Sequence, residues 1–234
     1  MSNNQKIQII PAIIAKNLGD LKDELSLVKG LLPKVQIDML DAKYTSYKSW
    51  PFDDFENFKR ISSENEGLPY WVDFDFEADL MIENPMEHLE DFIRAGFSGL
   101  IIHLGTISGA EEFLKIKELN QKYDVATGLA FCPSDNISDV LEIGKDADFL
   151  QVMGSDNIGH HGEVLDERVY EILKKLRQEF PDKKIGVDIG VDLNTVPKLV
   201  LSGADKLVSG SAVFEGDVSD NVNKFRRILS GISG

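Results

Sequence analysis

The chain has 234 residues, 42% hydrophobic and 28% charged, an ordinary balance for one large globular domain spanning residues 1–234. The 40 acidic residues against 25 basic ones give a formal charge of −15, spread along the chain; this excludes a nucleic-acid surface and leaves anion binding to backbone N–H groups, helix N-termini or a metal. No apolar run approaches the roughly 20 residues needed to span a bilayer, the lone Cys132 has no partner for a disulfide, and the polar Met1–Gln5 lacks the layout of an export signal, so the expected compartment is the cytoplasm, with no membrane partner.

Short β-rich runs alternate with amphipathic helical stretches along the chain. The first strand is expected over Ile7–Ile13. A helix follows, with Asn17 as N-cap and Leu18, Leu21, Leu25, Val28 and Leu32 on one stripe before the breaker Pro33. Val35–Asp38 forms the second strand. The third, Tyr70–Leu80, is unusual: Asp73, Asp75, Glu77 and Asp79 alternate with Val72, Phe74, Phe76 and Ala78, which turns four acids to one side. Such a row needs a cation, partner lysines or bound protons; alternatively the strand begins near Asp75 and leaves Asp73 in solvent. Gly99–His103, Asp124–Phe131 and Asp148–Met153 are the next three strands. The glycine-rich polar segment Gly154–Glu163, with adjacent His160 and His161, then reads as a loop that could lie over the barrel rim as a lid. Asp166 is the expected cap of a helix whose stripe is Val169, Ile172, Leu173, Leu176 and Phe180, ending at Pro181, and Lys184–Asp188 and Lys206–Ser209 are the last strands.

Eight β/α units in this length, with no Gly-x-Gly-x-x-Gly opening the first helix, predict an α/β fold of the closed (β/α)8 TIM-barrel type in a single domain. Functional residues of such barrels lie at strand C-terminal ends. Asp38 and Asp188 each close an apolar run on a different side of the barrel, where two carboxylates can exchange protons with opposite faces of a substrate. Gln36, Asp79, His103 and Met153 share the rim. Any one carboxylate there can equally cap a helix or pair with a lysine, and His103 can equally be a satisfied core histidine or a substrate contact. Gly190 after the seventh strand and Gly210-Ser211 after the eighth stand where barrels commonly hold phosphate, the alternative being tight turning alone.

Five segments carry a resemblance to a known family: Pro11-Ala12-Ile13-Ile14, Gln36-Ile37-Asp38-Met39-Leu40-Asp41, Leu80-Met81-Ile82-Glu83-Asn84-Pro85, Val187-Asp188-Ile189-Gly190-Val191 and Val208-Ser209-Gly210-Ser211-Ala212-Val213-Phe214. From Pro11 to Phe214 the chain resembles a divergent ribulose-phosphate 3-epimerase. The resemblance implies that Asp38 and Asp188 are the acid/base pair exchanging the C3 proton of a phosphorylated ketose, and that Gly190, Gly210 and Ser211, with Gly159 and Gly162 of the lid, hold its phosphate. Met81, Met153 and His103 would wall the substrate. The family's metal site uses two histidines and two aspartates; the matching positions are Gln36, Asp38, Asp79 and Asp188, an all-oxygen set that suits Mg²⁺ or Mn²⁺ better than Zn²⁺. Ala12 stands where the family has serine, Ile189 where it has glycine and Lys43 where it has histidine. The resemblance thus implies a sugar-phosphate isomerase acting on a pentulose or hexulose phosphate, and is compatible with a homo-oligomer. Two other readings remain. One is a catalytically silent sugar-phosphate binder; the other is a decarboxylase or lyase of the orotidine-monophosphate decarboxylase-like group, whose Asp-x-Lys core Asp41-Ala42-Lys43 resembles, although Ser46 stands where that group has a further aspartate.

Overall fold

The structure is a computed structural model describing residues 7–63, 67–160 and 162–232; the Met1–Gln5 segment and His161 lie outside them. Eight strands form a closed barrel: β1 (Gln8–Ile13), β2 (Lys34–Leu40), β3 (Asp75–Met81), β4 (Gly99–His103), β5 (Ala126–Phe131), β6 (Phe149–Met153), β7 (Lys184–Asp188) and β8 (Lys206–Ser209). Every neighbouring pair is parallel, and β8 closes on β1. Helices α1 (Leu18–Val28), α2 (Phe55–Ser63), α3 (Leu89–Ala95), α4 (Ala110–Gln121), α5 (Ile137–Gly144), α6 (Arg168–Glu179), α7 (Val196–Ser202), α8 (Ser211–Phe214) and α9 (Val218–Ile232), with short 3-10 turns at Pro85–Glu87 and Leu104–Thr106, complete the described elements. Among the described residues no helix is long and apolar enough to cross a membrane.

The period of two along each strand separates an outer core from the lumen. In β2, Val35, Ile37 and Met39 join the helix-facing core with Leu21, Leu25 and Val28 of α1, while Lys34, Gln36 and Asp38 turn inward and bond across the lumen. Asn17 caps α1 as expected, its Oδ1 accepting from the Asp20 N–H at 2.9 Å. That helix ends at Val28 rather than running to Pro33; Gly30, at a φ of +75°, turns the chain, and Leu32 joins the core from outside the helix. Asp166 does accept from the Arg168 N–H at 2.8 Å, but α6 starts at Arg168 behind Glu167.

The third strand begins at Asp75, not Tyr70. Tyr70 has a φ of +59°, and the turn it makes, with the Asp73 N–H bonded to its carbonyl, breaks the alternating run before the barrel wall starts. Asp73 stays at the surface with the Lys29 ammonium 2.8 Å away. β5 is shortened likewise, because Asp124 adopts a φ of +58°.

Glu77 lies in the lower lumen, and lysines are its partners: Lys206 Nζ donates to Oε2 at 2.7 Å and Lys34 Nζ to Oε1 at 3.1 Å. Burial pushes its carboxyl up, but these two ammonium charges and hydrogen bonds outweigh burial and hold it below the usual range. Lys206 also sits 3.8 Å from the centroid of the Phe149 ring. The ring fits because β5 offers Gly128 opposite, where a Cβ would come within 2.5 Å of it. Among the described residues this charge-paired cluster occupies the lower lumen, below the upper, C-terminal end.

Candidate functional site

A cavity of 390 Å³ opens at that end. Asp38 and Asp188 form its floor, Met81, Met153 and Ile189 stand beside them, and the turns after β7 and β8 make its far wall. Both carboxyls are 5% exposed. The Gln36 carboxamide lies between them: its Nε2 donates to Asp38 Oδ1 at 2.8 Å and to Asp188 Oδ2 at 2.7 Å, and a third aspartate oxygen, Asp79 Oδ2, lies 3.5 Å away. β2 and β7 meet here across the lumen, so residues far apart in sequence share one amide.

Asp79 is closed off beneath the floor. The His103 Nε2 lies 2.6 Å from its Oδ1 and the Gln151 amide donates to its Oδ2 at 3.1 Å. Burial raises the Asp38 carboxyl well above its ordinary range, and the charges of Asp188 and Asp79 raise it further against the hydrogen bond from Gln36. Burial, then the Asp79 charge, lifts Asp188 to about 7, opposed by hydrogen bonds from Gln36 and from the Ile189 N–H. Two buried carboxyls of this kind hold a proton near neutral pH that exposed aspartates would release.

The donor set fits a hard divalent cation. Asp38, Asp79 and Asp188 each offer an oxygen within 4.8 Å of the others, and Gln36 Oε1 is buried with no hydrogen-bond partner among the described residues. Turning the carboxamide would exchange its N–H donors for that oxygen and complete a four-oxygen group of the type Mg²⁺ or Mn²⁺ accepts.

Most of the expected site residues converge. Asp38, Asp188, Met81, Met153, Gly190, Gly210, Ser211, Gly159 and Gly162 all border the cavity. Gly190 is required sterically: its φ is +69°, and a Cβ would come within 2.6 Å of the Leu165 backbone nitrogen. Ser211 opens α8 directly after Gly210. His103, expected as a wall of the substrate pocket, is instead 1% exposed behind the floor, its ring spent on Asp79. Gln36 and Asp79 likewise lie below the cavity surface and reach it through Asp38 and Asp188.

The loop between β6 and α6 lies over the rim as expected, with His160 beside the cavity and its Nε2 3.4 Å from Glu163 Oε1. Its base is tied down by Asp156, which accepts from the Ser134 N–H and from Arg168. Sequence reading missed Gln151 and Thr195. Gln151 is an isolated polar residue in Phe149–Met153, on the inward parity, and that parity could have marked it. Thr195 Oγ1 donates to the Gly190 carbonyl at 2.8 Å and so fixes the turn after β7, which nothing in its local sequence announces.

The model of the Ribulose-phosphate 3 epimerase family matches residues 8–214, from the first residue of β1 to the last of α8. Ribulose-phosphate 3-epimerase of Aquifex aeolicus (strain VF5) is 27% identical over 233 residues, covering 96% of this chain and 98% of its own. The Bacillus subtilis (strain 168) ribulose-phosphate 3-epimerase is 24% identical over 214 residues, covering 89% and 92%. Among solved structures, 3-hexulose-6-phosphate synthase from Salmonella typhimurium aligns with a TM-score of 0.72 over 97% of this chain and 100% of its own; at 16% identity this likeness is one of fold. With the family match spanning every barrel strand, the chain belongs to the ribulose-phosphate 3-epimerase family.

Proposed function

We propose that the chain, as one barrel domain, is a sugar-phosphate 3-epimerase that inverts C3 of a ketopentose or ketohexose phosphate, with Asp38 and Asp188 as the acid/base pair. The observation that carries this reading is the pair of carboxyls on the cavity floor, bridged by one Gln36 amide at 2.8 and 2.7 Å, with burial raising both and lifting Asp188 to about 7. Epimerisation beside a carbonyl needs one ionised and one protonated group on opposite faces of the same carbon. The ionised carboxyl takes the C3 proton, the electron pair of the C–H bond moves into an enediolate with the C2 carbonyl, and the protonated carboxyl returns a proton to the other face. The two then carry each other's starting protonation state, so the reverse reaction uses the same pair.

A divalent cation held by Asp38, Asp79, Asp188 and Gln36 Oε1, Mg²⁺ or Mn²⁺ in preference to Zn²⁺, would supply positive charge beside the enediolate oxygens. His103 and Gln151 orient Asp79 for that task. The described residues around the cavity include no lysine or arginine, so the phosphate falls to backbone N–H groups at Gly190, Gly210 and Ser211, with Gly159 and Gly162 from the loop above. Met81 and Met153 pack on the carbon chain. A soluble cytoplasmic setting, alone or as a homo-oligomer, suits such a substrate.

The test is incubation of D-ribulose 5-phosphate in D₂O with and without Mn²⁺. Deuterium is expected at C3 of the inverted product, and inversion at C3 is expected to disappear in both Asp38→Asn and Asp188→Asn, while the variant that keeps the carboxyl facing the C3–H can still exchange that proton. Full inversion in either variant refutes the pair. Binding of the sugar phosphate without exchange would mark a silent binder, and carbon dioxide release from a keto-acid sugar phosphate would mark a decarboxylase.

A further inference from the structure

Among the described residues that border the cavity, Asp38, Glu163, Glu167, Asp188 and Asp192 carry carboxyls, and His160 alone can carry positive charge. A phosphorylated sugar adds further negative charge to this space, and backbone N–H groups orient a phosphate without bringing a net charge to set against it. Most of the carboxyls have partners of their own. Lys198 donates to Glu167 at 2.7 Å, Asp192 accepts from the Asn194 and Thr195 N–H groups at 2.7 and 2.9 Å, and Asp38 and Asp188 share the Gln36 amide. Glu163 faces His160: the imidazole Nε2 lies 3.4 Å from Glu163 Oε1, an oxygen that already accepts from Asn157 Nδ2 at 2.9 Å. A charge-assisted hydrogen bond closes to about 2.7–2.9 Å, so this contact is loose enough for a closer anion to displace it.

The place of the ring in the loop supplies the anion. His160 follows Gly159 directly and stands two residues before Gly162, the loop glycines at φ +92° whose N–H groups the phosphate reading uses. The Tyr47 ring, from the loop after β2, packs on the imidazole with centroids 4.9 Å apart and steadies it at the cavity. We propose that His160 is the side-chain ligand of the substrate phosphate, and that Glu163 is the competitor it leaves: on binding, the imidazole gives up its carboxylate contact and donates an N–H to a phosphate oxygen. This inference rests on the sugar-phosphate reading of the cavity and deepens it by adding one side chain to the backbone groups. Lys198, the nearest alternative cation, is held by Glu167 and by the Tyr170 ring, 3.7 Å from its centroid.

The test is calorimetric titration of the wild-type protein, His160→Ala, His160→Gln and Glu163→Gln with inorganic phosphate and with D-ribulose 5-phosphate. His160→Ala is expected to weaken both ligands about tenfold, the size of one lost charge-assisted hydrogen bond. His160→Gln keeps a neutral N–H and is expected to lose less; should His160→Ala not fold, this loss takes its place. Glu163→Gln is expected to tighten both ligands about threefold, because it removes the competing charge and keeps the oxygen that accepts from Asn157. The opposite signs decide the matter. If the contact between His160 and Glu163 served only to shape the loop, breaking it from either side would weaken binding alike. Weakening in Glu163→Gln, tightening by loss of His160, or unchanged affinity on either side of the pair therefore overturns the proposal. Phosphate binding with the expected signs but no C3 exchange by the wild-type protein removes the epimerase reading and leaves His160 as the phosphate ligand. A wild-type protein that binds neither ligand removes both.

Discussion

Asp188→Asn in metal-free protein tests the electrostatics of the cavity floor without any substrate. Burial and the Asp79 charge raise this carboxyl from an ordinary 3.8 to about 7. Between those two pH values the folded protein keeps a proton that the unfolded chain has released. Stability therefore falls as pH rises through this window, is fully restored below the unfolded value, and levels off above about 7. At ~1.4 kcal/mol per pH unit the loss is about 4 kcal/mol. Asparagine removes this titration but brings a cost of its own. Both oxygens of Asp188 are acceptors, from the Ile189 N–H and from Gln36 Nε2, each at 2.7 Å, so in the variant one of these N–H donors must face the amide nitrogen of the introduced asparagine, at about 1–2 kcal/mol. The variant is thus expected to be about 1–2 kcal/mol less stable than the wild type at pH 4 and about 2–3 kcal/mol more stable at pH 8. Asp38, relieved of one neighbouring charge, shifts in the same direction. Urea unfolding with EDTA at half-unit pH steps reads the difference directly. A stability difference that stays constant across this range would refute the claim that Asp188 is a strained acid.

Three further outcomes are expected. Mn²⁺ added to EDTA-treated protein should raise the melting temperature and release protons as the carboxyls ionise, and Asp79→Asn should weaken binding about tenfold or more; a calorimetric titration with no heat and no proton release to millimolar Mn²⁺ would remove the cation from the mechanism. Lys206→Met leaves the buried Glu77 with Lys34 alone and should cost about 3–5 kcal/mol in urea unfolding, while kcat per folded molecule stays unchanged because the pair lies below the floor. Gly190→Ala forces a Cβ to within 2.6 Å of the Leu165 nitrogen at a positive φ and should weaken competitive inhibition by inorganic phosphate; unaltered inhibition in folded protein would move the phosphate elsewhere.

How far the sequence could be read depended on whether each signal was local. The α1 stripe at Leu21, Leu25 and Val28 survives folding because helix period is a property of adjacent turns. Asp38 and Asp188 were legible because each closes an apolar run, and a strand end in a parallel barrel has a defined place on the rim. The start of β3 was not. Alternation of acids and apolar residues continues through Asp73, and only the left-handed turn at Tyr70, which has no compositional mark, separates the surface acid from the strand. Gln36 appeared among the ligands by resemblance, but its bridging position required closure of the barrel, since Asp188 lies 152 residues away. The shift of Asp188 toward 7 is likewise a product of enclosure, invisible until β2, β3 and β7 surround the same space.

The inward acids of β3 show why the chemistry is confined to one end. From bottom to top, Asp75 is in solvent, Glu77 is neutralised by Lys34 and Lys206, and Asp79 is held by His103 and Gln151; above them the next inward residue is Met81, at the cavity. Each level up the lumen has weaker compensation than the one below: two ammonium groups, then an imidazole and an amide. Asp38 and Asp188, at and above the level of Asp79, share only the Gln36 carboxamide, a neutral donor that cannot cancel a charge. Two anions left there without a cation are resolved by taking up a proton, and this accounts for the raised carboxyls. The same deficit serves both proton transfer and cation capture, because a site that can lower its energy with a proton can do so with a divalent ion, and the two must compete. Raising Mn²⁺ should therefore move the acid limb of the pH–exchange profile to lower pH; a limb fixed across Mn²⁺ concentrations would mean that the ion and the proton do not share these oxygens.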